Sequence, residues 1–323
     1  MIALLHLLVY ASAQELRFSG TGKFKIVQFT DCHTLPGDAR SARVEECVNK
    51  VLDCEKPNLV IFTGDIVTGK PADEGLRKVL ELVSKRDIPF AFTFGNHDDE
   101  QGLSRMELFN AIKEIPHNLT STTPGLHGVT NYLLPIKSHD GRSTVRVLYI
   151  FDSGSYNAIK EVGGYDYIHA DQIEWYRQSS SRFTRENGDS ALPSLAFFHI
   201  PLPEYAQAAS NERAVLIGSR KEHSCPPDLN SGLFTSFKEM GDVQGVFVGH
   251  DHDDDYAVMW QGILLAYGRF SGGNTVYNNL PSCGARVIEL DEALKGFTTW
   301  IRNLDGSTEL HLTFPDSFLR LSK

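Results

Sequence analysis

Five times along this chain a short apolar run of strand length stops and is followed at once by histidine, aspartate or asparagine. Lys23–Phe29, alternating with period 2, leads to Asp31-Cys32-His33, and Leu59-Val60-Ile61-Phe62 leads to Gly64-Asp65. Residues 88–94 lead to Gly95-Asn96-His97-Asp98, Leu195-Ala196-Phe197-Phe198 to His199, and Val246-Phe247-Val248 to Gly249-His250-Asp251-His252. Taken singly, each cluster has an ordinary explanation. Gly-Asp is turn chemistry, a strand-end Asp-x-His is a hydrogen-bonded polar pair, and a histidine after two phenylalanines is a core histidine. Those explanations would have to hold independently in five places. A single arrangement accounts for all five, a sheet structure whose strand ends gather these side chains at one edge.

Helical spacing separates the first three runs. Val44, Cys47, Val48, Val51 and Leu52 share a face over residues 43–56, and Pro57 follows; Leu76, Val79, Leu80 and Val83 share one over residues 72–85. The β-α-β-α-β order predicts parallel strands covered by helices, and a continuously apolar run such as Leu59-Val60-Ile61-Phe62 suits a strand buried on both faces. Ser104-Arg105-Met106-Glu107 is a capping-box pattern for a helix through Ile112. Residues 132–136 and 145–151 predict a hairpin around Asp140-Gly141. Asp171 is expected to cap a helix ending near Gly188, and the long polar stretch 201–230 to pass over the site. From residue 246 onward, strands at 256–260, 263–267, 286–290, 297–301 and 309–314 predict an antiparallel half. The expected fold class is α/β, two packed mixed β-sheets flanked by α-helices, with residues 14–323 as one domain.

Composition excludes some partners. The net charge of −10 leaves no basic stripe to neutralise nucleic-acid phosphates. Residues 1–10 are apolar and Ala11-Ser12-Ala13 has the form of a cleavage site. Residues 1–13 are therefore read as a signal peptide and the protein as secreted or periplasmic; it is cytoplasmic if that leader is not a signal. The run is too short for a stable membrane span. Five cysteines cannot all pair within one chain, which excludes a disulfide framework. Cys225 and Cys283 are a candidate pair in an oxidising compartment, and Cys47 and Cys54 fall on the core side of the first helix.

The clusters suit metal chemistry. Asp31 and His33 lie two apart and share a face if the strand continues through them; His250 and His252 have the same spacing, so each pair can chelate a cation. Asp65, placed by Gly64, is the candidate for a carboxylate shared by two cations. Mixed nitrogen and oxygen donors suit Fe, Zn or Mn, whereas calcium prefers oxygen alone. Two such ions about 3.5–4 Å apart can clamp a phosphoryl group and activate water. Arg269, in a glycine-rich segment, is a candidate grip on a phosphate oxygen or a surface ion pair. Asp152 ends a strand and is a candidate to reach the pocket or an ordinary turn residue, and Tyr205 and Tyr256 are candidates to line the entrance or to pack in the core or rim.

The order D-x-H, G-D, G-N-H-D, H and G-H-x-H resembles the calcineurin-like metallophosphoesterase superfamily, and its motifs span nearly the whole chain. Segments 94–100, 198–205 and 248–256 are similar to its purple-acid-phosphatase-related branch, which includes fungal phosphoprotein phosphatases. Purple acid phosphatases carry a tyrosine three residues after the second-motif aspartate. Thr68 stands there in this chain and His33 in the first motif, so no tyrosinate-to-iron colour is expected. The resemblance implies the αββα sandwich of that superfamily and a pair of divalent or trivalent metal ions. One is held by Asp31, His33, Asp65 and His252, the other by Asp65, Asn96, His199 and His250. It implies His97 as general acid with Asp98 fixing its orientation, and a metal-bridging hydroxide as nucleophile. The implied activity is phosphomonoester hydrolysis of a small molecule or phosphoprotein. Phosphodiester hydrolysis is the alternative within the enzyme class, and a non-catalytic metal-binding scaffold the alternative outside it.

Overall fold

The computed structural model describes residues 15–319; the expected leader over residues 1–13 lies outside them. Six strands form one sheet in the order β14 (Thr308–Phe314), β13 (Phe297–Asn303), β12 (Gly284–Asp291), β2 (Lys23–Phe29), β3 (Leu59–Thr63) and β4 (Phe90–Thr93). Eight form the other, in the order β1 (Leu16–Arg17), β5 (Tyr132–Lys137), β6 (Thr144–Ile150), β7 (Ser194–Phe197), β9 (Val243–Val248), β11 (Ile263–Tyr267), β10 (Ala257–Trp260) and β8 (Leu216–Ile217). Helices α1 (Ala42–Glu55), α2 (Ala72–Ser84) and α3 (Arg105–Ile112) cover the outer face of the first sheet. Helices α4 (Ala170–Glu186), α5 (Pro203–Ala209) and α6 (Leu233–Met240) cover that of the second, and a last turn, α7 (Asp316–Leu319), packs beside β14. This is the expected pair of mixed sheets flanked by helices.

The apolar runs read as continuous because each central strand feeds two cores. Leu59 and Ile61 of β3 point between the sheets, where they meet Leu148, Ile150, Leu195 and Phe247. Val60 and Phe62 point the other way, onto Val48, Val51, Leu76 and Leu80 of the covering helices. Leu195 and Phe197 of β7 face the inter-sheet core while Ala196 faces the third cluster under α4 and α6. Period-2 geometry with both faces buried leaves no polar position in the strand.

The predicted parallel and antiparallel halves do not map onto one sheet each. β12 to β14 are antiparallel, as expected, but they join the first sheet, with β12 against β2. β9 runs parallel to both β7 and β11 in the second. Strand direction was legible from local pattern, whereas the partner across the sheet depends on a chain reversal some 250 residues later. What positions the site is the parallel part of each sheet. β2, β3 and β4 are mutually parallel, as are β6, β7, β9 and β11, so their C-terminal ends open on one edge. The two sheets meet there: the Gln28 side chain donates to the Val248 carbonyl at 3.0 Å.

Other expectations are corrected. Helix α4 is capped by His169 and Gln172, because the Asp171 carboxylate turns to the backbone N–H of His127. Segment 201–230 is not all loop, since it contains α5 and β8. Cys225 and Cys283 are both free thiols; Cys283 is buried beside Cys47, and Cys225 is exposed with its N–H on Asp251. Cys54 is exposed, since the buried face of α1 ends on Val51, Leu52 and Glu55. Among the described residues no helix is long and apolar enough to cross a membrane.

Candidate metal centre

The proposed ligands converge because the backbone turns sharply at each strand end. Asp31, His33, Asp65 and His250 all have positive φ, at 54°, 46°, 52° and 84°. Side chains with a Cβ avoid this region, so its use at four of the seven positions marks strain retained at a site. It also replaces the expected geometry. Asp31 and His33 do not share a strand face, since β2 ends at Phe29; a left-handed turn at each swings both inward. Glycine makes the crossings possible. A Cβ on Gly95 would lie 2.1 Å from Asp65 Oδ1, and one on Gly249 would lie 1.9 Å from Thr30 Oγ1 and 2.7 Å from Asp31 Oδ2.

Two ligand groups result, Asp31/His33/His252 and Asp65/His199/His250, each with its donor atoms within 4.8 Å of one another. His33 Nε2 and His252 Nε2 are 2.9 Å apart, and each lies within 4 Å of Asp31 Oδ1 (3.9 and 3.7 Å). Asp65 Oδ2 stands between the groups, 3.1 Å from His199 Nε2 and 3.7 Å from His33 Nε2. These atoms are buried, yet Asp65 Oδ2, His199 Nε2 and both side-chain polar atoms of Asn96 have no hydrogen-bond partner. Orphaned buried donors and acceptors are costly, and four such atoms gather here on three of the predicted ligands, Asp65, Asn96 and His199. The residues therefore fit a pair of cations. Outer contacts fix the ring tautomers: His199 Nδ1 lies 2.7 Å from the Thr63 carbonyl and His252 Nδ1 3.0 Å from that of Tyr277. A carbonyl only accepts, so Nδ1 carries the proton and Nε2 presents its lone pair.

Electrostatics agree with that assignment for three of the four rings. Burial holds His33 and His250 well below the usual imidazole range and lowers His252 to about 4, so these rings are neutral and can ligate without losing a proton. Burial raises Asp31 to about 7, with the neighbouring Asp65 adding to the effect. His199 behaves oppositely: burial opposes its charge, but Asp65 and Asp31 raise it to about 9. Two buried carboxylates thus draw positive charge into this space.

His97 sits beside the pair, half-buried, with its ring 5.6 Å from that of His33 and its N–H donating to Asp65 Oδ1 at 2.8 Å. Its pKa is raised; burial opposes the charge and Asp65 and Glu100 overcome it. Asp98 does not orient this ring. Its carboxylate is turned inward, accepting from the N–H groups of Gly95, Asp65, Ile66 and Val67 at 2.8 to 3.1 Å, which locks the second and third motifs together. The partner of His97 Nδ1 is Glu100, at 2.7 Å.

The candidate substrate contacts lie elsewhere. Arg269 is buried and donates to Asp255, Glu309, Asn303 and the Ser282 carbonyl. Asp152 is buried on Arg105 and the N–H groups of Val129 and Thr130. Tyr205 and Tyr256 are core residues. The acidic run Asp251 to Asp255 is also buried: Asp251 accepts from Tyr267, Asp253 from Asn279, Asp254 from the Lys221 N–H. Arg269→Lys keeps the charge but cannot serve all four acceptors. It is expected to lower stability by about 1–3 kcal/mol in denaturant titration and to leave KM unchanged; a raised KM at unchanged stability would restore a substrate role.

Sequence reasoning missed Glu100, Tyr156, Tyr165 and Tyr277. Tyr165 meets His250 edge-on at 4.4 Å, Tyr277 packs on His252 at 4.5 Å, and the Tyr156 hydroxyl donates to Glu100 at 2.7 Å. Only Glu100 lay near a motif; the tyrosines come from loops with no local signal. A third group, His127, Asp166 and His169, lies outside the centre. Its rings stack face to face at 3.5 Å and each Nε2 already donates to one Asp166 oxygen, so its hydrogen bonds are satisfied without a cation.

Comparison with known proteins agrees with this geometry. The family described as calcineurin-like phosphoesterase matches residues 24–254. The chain is 32% identical to "Probable inactive purple acid phosphatase 29" of Arabidopsis thaliana, over 95% of this chain and 88% of that protein. It is 34% identical to phosphatase DCR2 of Saccharomyces cerevisiae, over 93% of this chain and 57% of that one. The solved structure of a dimetal phosphatase from Danio rerio matches with a TM-score of 0.64 at 13% identity, covering 90% of this chain and 98% of that one, a likeness of fold.

Proposed function

The chain belongs to the calcineurin-like phosphoesterase family, and from that premise we propose that it is a metal-dependent phosphomonoesterase. The observation that carries this reading is Asp65 Oδ2, a buried carboxylate oxygen without a hydrogen-bond partner, set between one ligand group and the other. Asp31, His33, Asp65 and His252 would hold one cation, and Asp65, Asn96, His199 and His250 the second, with Fe, Zn or Mn suited to these donors. When bound, such a pair supplies Lewis acidity toward a phosphoryl group and a nucleophilic water at neutral pH.

The chain's own residues do the rest. Asn96 is neutral, so two carboxylates face two dications and the centre keeps a net positive field for a phosphate ester. His97 stands at the open side, protonated at Nδ1 toward Glu100, with Nε2 free to protonate the leaving oxygen. Buried Phe270, packed on His33 and His252, and Tyr165, packed on His250, limit water around the ligands.

A second reading, a metal-binding fold without turnover, is favoured by the name of the Arabidopsis relative, which calls that protein probable inactive. Against it, all seven candidate ligands are present here and buried, and His97 stands beside them. One experiment separates the readings. Protein reconstituted with Fe, Zn or Mn, its metal content quantified, is assayed on p-nitrophenyl phosphate, bis-p-nitrophenyl phosphate and glycerol phosphate. Turnover of monoesters well above that of the diester is the expected result. Diester turnover in excess would reassign the activity, and two bound metals with no turnover on any substrate would leave the scaffold.

A further inference from the structure

The loop from β6 to α4 folds back over the mouth of the centre as a narrow hairpin. Tyr156 and Tyr165 pair across it, the Asn157 N–H donates to the Gly164 carbonyl at 3.0 Å, and the Asp166 N–H donates to that of Ser155 at 3.2 Å. Its base is fixed: Asp166 accepts from His127 Nε2 at 3.0 Å and His169 Nε2 at 3.1 Å. One strand of the hairpin is tied to the third motif, since Ser155 Oγ donates to Asp99 at 2.9 Å and accepts from Arg105 at 2.7 Å. This scaffold delivers the Tyr156 hydroxyl to Glu100 Oε1 at 2.7 Å. The other oxygen of the same carboxylate holds His97 Nδ1, also at 2.7 Å.

A half-buried histidine with no partner on Nδ1 can turn about its side-chain bonds and favours no single tautomer. A carboxylate on Nδ1 removes both freedoms, provided the carboxylate itself is held. Glu100 is an exposed side chain, and Tyr156 supplies that second restraint. Asp98, the expected orienting group, is committed to four backbone N–H groups.

Resting on the hydrolase reading above, we propose that Glu100 and Tyr156 are the positioning residues of the general acid. Glu100 keeps the His97 proton on Nδ1 and the ring plane fixed, so that Nε2–H is aimed at the leaving group, and Tyr156 keeps Glu100 in place. As a water oxygen bonds to phosphorus and gives up a proton to solvent, the bond from phosphorus to the leaving oxygen breaks, and its electron pair stays on that oxygen, which takes the proton from Nε2. The ring becomes neutral with Nδ1–H still on Glu100 and regains its proton from water, so that ester and water give alcohol and phosphate. Neither residue touches substrate or metal; both act through His97.

The test uses Glu100→Ala, Glu100→Gln and Tyr156→Phe in the metal-loaded full chain, on glycerol phosphate and p-nitrophenyl phosphate. Glu100→Ala is expected to lower kcat on the alkyl ester by about 10–100-fold, with KM and metal content unchanged and a loss below about 3-fold on the aryl ester. Glu100→Gln, which keeps an acceptor, and Tyr156→Phe, which removes one oxygen from a half-exposed ring, are expected to fall between. Equal losses on both substrates, or none on either where His97→Ala separates them, overturn the proposal. If wild-type protein turns over no phosphoester, the hydrolase reading fails, and the pair is judged on the ring itself. Proton–nitrogen NMR should show a strongly deshielded His97 Nδ1 proton that disappears in Glu100→Ala; its absence from wild type overturns the pairing without reference to catalysis.

Discussion

Asp65→Asn is expected to strip metal from the protein and reduce phosphoester turnover by at least about 10³-fold. The amide keeps the size of the carboxylate, so the loss comes from charge and donor pattern. In the native site Oδ1 accepts the His97 N–H at 2.8 Å, and Oδ2, unpartnered, lies between His33 and His199. An amide has one oxygen. If that oxygen keeps the His97 contact, an NH2 group points at the space between the two ligand groups. If the amide flips, its NH2 faces the His97 N–H and donor meets donor. The first arrangement leaves no oxygen between the metal positions and the second leaves only a neutral one, held against a clash, so the several kcal/mol of charge stabilisation that the cations supply is lost at roughly 1.4 kcal/mol per decade. Elemental analysis of purified variant and wild type, beside circular dichroism to establish folding, reads this directly. A folded variant that retains both metals would remove Asp65 from the shared position, and the dinuclear assignment with it.

The site was legible where chemistry and strand ends coincide in sequence. Asp65, Asn96, His199 and His250 each follow a short apolar run that marks the end of a strand buried on both faces, and Asp31 follows a run of period 2. Their backbone conformation was not legible: positive φ at Asp31, His33, Asp65 and His250 is imposed by packing between the sheets, against the preference of those residues. Arg269 was misplaced for a related reason. A glycine-rich stretch with an arginine suggests a phosphate grip, but its acceptors are Asp255, just before β10, and Asn303 and Glu309, which the β12–β14 meander brings alongside. Tyr156 and Tyr165 had no periodicity to announce them, since a loop hairpin held by His127, Asp166 and His169 depends on contacts that span some forty residues. Asp98 lay in the motif that suggested its role, yet its carboxylate faces backbone donors of the preceding motif, a matter of one rotamer.

His97→Ala should divide substrates by the basicity of what they release. On glycerol phosphate, whose alkoxide cannot leave without a proton, kcat is expected to fall by about 10²–10³-fold. On p-nitrophenyl phosphate, whose phenolate leaves unaided, the fall should stay below about tenfold, because the same acid contributes little to that transition state. Metal content should not change: the imidazole belongs to neither ligand group, and the contact His97 makes with Asp65 runs through its backbone N–H, which alanine retains. That separation distinguishes an acid from a structural histidine. A ring that merely packed against His33 would, when removed, loosen the metal pair and slow both esters alike. Selective loss with a full complement of metal therefore requires a proton delivered from this position, and the Glu100 carboxylate on Nδ1 accepts a hydrogen bond there and leaves Nε2 as the donor.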